Sequence, residues 1–114
     1  MVESGRKVSR RQLAGTFEQK PSLAELIDRA GLNAKQRKAW GIIASMDLSS
    51  PELPPDAGAL IFLYFLWSES VSIIPVQRIT GITNVADVHA LVDRVGESDE
   101  LTDQYGEFYS RYKT

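Results

Sequence analysis

The stretch AGALIFLYFLW at residues 57–67 decides how the rest of the chain has to be arranged. From Ala59 onward nine consecutive residues carry no charged or strongly polar side chain. A helix built from them has no face to give to water and must be covered on all sides. Crossing a bilayer takes roughly 20 apolar residues, and here Glu69 follows almost at once, so a buried element of a water-soluble fold is expected. Asp56, behind Pro54 and Pro55, reads as the N-cap, and Ser68, Glu69 and Ser70 end the apolar run. A competing reading is a strand hairpin that turns at Ser68-Glu69-Ser70 into VSIIPV, because aromatic and β-branched residues suit strands. Periodicity does not separate the two in so short a run; helix is the expectation taken forward.

Downstream of this element, Val71, Ile73 and Ile74 suggest one short extended segment near 71–74, after which Pro75 can open a helix running to about Thr80. Gly81 ends that turn. Asn84 then caps a helix over about 85–95, with Val85, Val88, Leu91, Val92 and Val95 at helical spacing and Gly96 as its stop. Ser98 caps a last helix whose stripe is Leu101, Tyr105, Phe108 and Tyr112. Acids at its start (Asp99, Glu100, Asp103) and bases at its end (Arg111, Lys113) complement the helix macrodipole.

Upstream, residues 47–56 (DLSSPELPPD) hold three prolines and two serines and read as loop. Asn33 caps a helix that puts Trp40, Ile43 and Met46 on one face and Lys35, Gln36, Arg37 and Lys38 outward. Before the Gly31 turn, Ser22 and Glu25 have capping-box spacing, with Leu23, Leu26, Ile27 and Ala30 as an apolar face. Ser9 and Gln12 share that spacing, and Leu13 and Phe17 lie four apart, giving a short helix over about 10–18. Residues 1–8 read as a mobile basic arm and 9–114 as a single helical domain. The fold class is therefore all-α, a compact bundle of five or six short helices around the buried helix at about 57–67, with the one extended segment near 71–74.

The 114 residues contain no cysteine, which removes disulfides, thiolate metal sites and cysteine nucleophiles. His89 is the only histidine, and neither a Walker loop, nor a G-x-S-x-G elbow, nor a dinucleotide fingerprint occurs. Neither an enzyme nor a cofactor or metal site is expected. Charged residues at the N-terminus without an apolar segment behind them do not make a secretory signal, so a cytoplasmic location away from any membrane is the expectation. The net charge of −2 conceals an asymmetry: residues 1–40 hold nine basic and four acidic residues, residues 41–114 four basic and 11 acidic. A basic front joined to an acidic back suggests an electrostatic partner, or two halves that face each other.

Two places read as helix, tight turn, helix: LAELIDRAGLNAKQRKAW and PVQRITGITNVADVHALVDRV. Through Ile79-Thr80-Gly81-Ile82-Thr83, then Leu91-Val92-Asp93-Arg94-Val95, and the apolar stretch before them, residues 57–95 resemble MarR-type winged-helix regulators. That resemblance implies a helix-turn-helix DNA-binding transcriptional regulator. The outward residues of its second helix are Ala86, Asp87, His89, Ala90, Asp93 and Arg94, two carboxylates against one arginine. Duplex affinity rests on Lys and Arg neutralising phosphates, so the nucleic-acid candidates lie in the basic half instead: Arg6 and Lys7 in the arm, Arg10 and Arg11 directly after it, and Lys35, Arg37 and Lys38 on the 34–46 helix. The protein-interface candidates are Tyr105, Phe108, Tyr109 and Tyr112, because rings with hydroxyl tips bury area while keeping a polar handle. Taken together, the sequence points first to a small non-enzymatic binding or regulatory protein, an adaptor or inhibitor that meets a protein partner or a second copy of itself.

Overall fold

Six helices follow one another in the computed structural model, which describes residues 21–114: α1 (Leu23–Arg29), α2 (Ala34–Ala44), α3 (Ala57–Ser70), α4 (Ile74–Thr80), α5 (Val85–Glu97) and α6 (Asp99–Lys113). Among the described residues there is no strand, and the architecture is the all-α bundle the sequence implies. The arm at 1–8 and the helix expected over 10–18 lie outside the described residues.

α3 is the hub, and each of the other five helices packs against it. Ala57, Ala59, Leu60, Ile61, Phe62, Leu63, Phe65 and Leu66 are buried; only Tyr64 and Trp67 within the apolar run keep partial exposure. Each large aliphatic or aromatic side chain withdrawn from water contributes about 1.5–3 kcal/mol, so a helix apolar all round stabilises the fold most when wrapped by the rest of the chain. Its first turn is approached closely: a Cβ at Gly58 would lie 3.1 Å from Ile43 Cγ2 and 3.3 Å from Leu48 Cδ1.

α1 and α2 begin at reciprocal capping boxes. Glu25 N–H donates to Ser22 Oγ (3.2 Å) and Ser22 N–H to Glu25 Oε1 (2.8 Å); Asn33 and Gln36 repeat the arrangement at 2.8 and 3.0 Å. Each helix sends its apolar side inward, Ile27 from α1, Ala39 and Ile43 from α2. Trp40 ties the pair together. Its indole N–H donates to Asp28 Oδ1 at 2.8 Å while its ring tilts against Phe62 at 5.2 Å.

Four local expectations are corrected. The 71–74 stretch is a tight corner, with Val71 in the left-handed region (φ 50°, ψ 41°) and Ile73, the N-cap of α4, in the right-handed helical region. Two serines make the corner self-sufficient: Ser70 Oγ donates its one hydrogen to the Leu66 carbonyl (2.7 Å), with the Ser72 carbonyl also within reach (3.1 Å), and Ile74 N–H donates to Ser72 Oγ (3.1 Å). One apolar residue between these serines and two after them are too few to hold an extended register against local side-chain bonds. Asp56 occupies the N-cap position of α3 without a capping hydrogen bond; its carboxylate instead meets Arg94 of α5 at 3.4 Å. α3 also runs past Trp67 to Ser70. Gly96, finally, does not stop α5, which continues to Glu97, because Ser98 serves both helices: its N–H donates to Val95 O while its Oγ accepts from Leu101 N–H at 3.1 Å.

Candidate interaction surface

The stripe of α6 divides between inside and outside. Leu101 and Phe108 are buried, the latter completely, its ring meeting Phe65 edge-on at 5.3 Å. Tyr105, Tyr109 and Tyr112, at i, i+4 and i+7 of the same helix, stay half-buried. α3 brings Tyr64 and Trp67, one turn apart, up to the same border.

The outcome is a continuous row of rings. From His89 of α5 the row passes to Trp67 (6.5 Å, edge-on), Tyr64 (5.6 Å) and Tyr105 (4.8 Å, edge-on). It then runs along α6 through Tyr109 (5.8 Å, 14° between planes) to Tyr112 (6.2 Å, 23°). His89 is exposed and the other five rings are half-buried. Separations of 4.5–7 Å in edge-on and offset geometries are those in which aromatic pairs attract beyond their buried area, so neighbouring rings of the row support one another.

Its polar groups are unevenly distributed. At one end Lys38 of α2 donates to the Tyr112 carbonyl at 3.0 Å and holds its ammonium 4.9 Å from the centre of the Tyr112 ring. Lys113 lies 5.4 Å from the ring of Tyr109. These are cation–π distances, and Lys38 also meets the negative end of the α6 dipole. Tyr109 donates its hydroxyl to Glu69 Oε2 at 3.3 Å. Burial pushes the Tyr105 phenol up to about 12, partly opposed by the Ser68 hydroxyl, and the Glu69 carboxylate raises Tyr109. Both phenols therefore remain protonated donors at neutral pH.

The structure joins two groups of residues that the sequence presents separately. Lys38 from the basic helix and Tyr112 from the aromatic stripe touch, and Lys35 lines a cavity that Tyr112 also lines. Arg37 is turned back onto the Leu32 carbonyl, and Phe108 belongs to the core and presents nothing outward. Arg6, Lys7, Arg10 and Arg11 lie outside the described residues. Tyr64, Trp67, Glu69 and His89 are additions to the set. Tyr64 and Trp67 are the only rings in the apolar run with a hydrogen-bonding tip, which is the signal in the sequence that could have marked them as border residues.

On α5 the outward residues Ala86, Asp87, His89, Ala90, Asp93 and Arg94 are all exposed, and Arg94 is engaged with Asp56. Among the described residues no group of three or more His, Cys, Asp or Glu side chains is placed to hold a metal ion, and no helix is long and apolar enough to cross a membrane. The chain matches no protein-family model, no curated protein and no solved structure.

Proposed function

We propose that this is a non-enzymatic binding protein, an adaptor or inhibitor, that acts by occupying a protein partner through the row from Trp67 to Tyr112. The row itself carries the reading: five half-buried rings with hydroxyl or indole tips, in contact one with the next, flanked by lysines. Tyrosine and tryptophan are the residues that dominate interface energetics, because they bury large area at little conformational cost and still offer a donor. The row's five rings are already partly withdrawn from water, so a partner has only the remaining edges and hydroxyls to desolvate. A second copy of the chain is a partner of the same kind and is distinguished by mass.

Site-specific photo-crosslinking in the native cells tests the proposal. A benzophenone amino acid at position 109 or 67 is expected to give one discrete protein adduct, and the same probe at Ala90 on the outer face of α5 none. Equal labelling from all three positions, or adducts only from Ala90, contradicts it.

A further inference from the structure

At the Tyr112 end of the row a cavity of about 220 Å³ opens between α2, the C-terminal end of α3, Pro75 and α6. Phe65, Leu66, Pro75 and the Tyr112 ring supply its apolar lining, Lys35 and Glu69 its charges. Three of the uncharged polar side chains around it already have partners. Asn33 and Gln36 bond each other's backbone N–H groups in the α2 capping box, and Ser70 bonds the Leu66 carbonyl. At below the roughly 300 Å³ where small-molecule pockets begin, it has room for one large side chain.

Within the lining Lys35 and Glu69 balance, and two lysines over the neighbouring rings tip the sign to positive. Lys35 lines the cavity, Lys38 stands over Tyr112 and Lys113 over Tyr109, while Glu69 is the one carboxylate among the lining residues and accepts from the Tyr109 hydroxyl. Lys35 is also poorly placed for α2 alone. It occupies the second position of the helix, in a first turn with no acidic residue, so its charge opposes the macrodipole.

From this, and resting on the proposed interaction role of the row, we infer the chemistry of the partner: a segment that inserts one apolar side chain into this cavity and carries Asp or Glu beside it. The apolar lining takes the anchor and the three ammonium groups take the flanking carboxylates, a pairing that sets register and specificity. A single-stranded nucleic acid, which also uses rings and cations, fits less well. It needs open ring faces for its bases, and a lysine already stands over one face of Tyr112 and of Tyr109, which also stack on each other.

The test is selection of a phage-displayed library of random linear peptides on the full chain, followed by fluorescence-anisotropy titration of the enriched peptides. They are expected to share a Leu, Ile, Met or Phe with Asp or Glu within two positions. Lys35→Glu should weaken their binding at least tenfold without lowering the melting temperature, and Lys35→Arg should retain it. Enrichment of basic peptides, of apolar peptides lacking acids, or of none overturns the inference, as does indifference to Lys35→Glu. So does tighter, Lys35-dependent binding of a labelled oligothymidylate. If acid-free peptides bind and are lost in Tyr109→Ala, the row stands as an interface and only the partner chemistry fails. Peptides indifferent to Tyr109→Ala and Trp67→Ala tell against the row itself.

Discussion

α3 and α6 are both rich in aromatic residues, yet they do opposite things with them. α3 turns its rings and aliphatic side chains inward around its whole circumference, and only Tyr64 and Trp67 reach the border. α6 sends Phe108 to the core and leaves Tyr105, Tyr109 and Tyr112 half-buried on one side, with mostly charged and polar residues elsewhere. The difference follows the chemistry of the rings. Those without a polar tip are fully enclosed in both helices, and those with one stop where the tip can find a partner or water. Aromatic content alone therefore does not mark an interface; the division between Phe and Tyr within one stripe does.

The largest effect is expected on the α3 side. Leu63→Asp should abolish cooperative folding, because an unpaired charge in a fully enclosed position costs several kcal/mol against a total stability of about 5–15 kcal/mol. Circular dichroism with thermal melting checks it, and native-like melting would mean that α3 is not enclosed. Next comes the buried half of α6: Phe108→Ala should lose about 3–5 kcal/mol in chemical denaturation, since Phe108 is completely buried against Phe65. A loss below about 1 kcal/mol would move that ring from the core to the surface.

The helices were readable for a physical reason. Capping pairs such as Ser22 with Glu25 and Asn33 with Gln36 act within one turn, so their spacing in the chain is their spacing in space. That the run of α3 would be buried was equally plain, since nine apolar residues leave no face for water, but the run alone did not separate a helix from a strand hairpin. What could not be read were junctions and meetings. The Val71 corner is set by serine hydroxyls competing for backbone groups, and Ser98 is shared between two helices, neither of which shows in hydrophobic spacing. The row was half visible: the tyrosines of α6 stood out, but that Lys38, 74 positions earlier, would reach the Tyr112 carbonyl depends on how α2 and α6 are brought together on α3.

Smaller effects are expected at the edges of the comparison. Val71 is 88% exposed and holds a left-handed conformation that a β-branched side chain disfavours. Val71→Gly should stabilise the fold by up to about 1 kcal/mol, the relief of strain being partly offset by the flexibility of glycine in the unfolded chain. Urea denaturation decides, and a clear loss of stability would show that Val71 makes contacts that outweigh its strain. At high pH the Tyr105 phenol keeps its proton in the folded state up to about 12, against an ordinary value of 10.0. The unfolded chain then binds fewer protons than the folded one, so stability should be fully present below pH 10 and fall as the pH rises towards 12. Tyr105→Phe should flatten part of that decline, and an unchanged profile would remove Tyr105 as its source.

The most direct measurement is the affinity of the crosslinked partner for Tyr109→Ala, taken beside the melting temperature of the same variant. The proposed role of the row predicts a loss of about 2 kcal/mol or more, roughly thirtyfold in Kd, with a melting temperature within about 4 °C of the parent protein. Unchanged affinity together with a markedly lowered melting temperature would contradict it, and would assign the tyrosines of α6 to holding the bundle together.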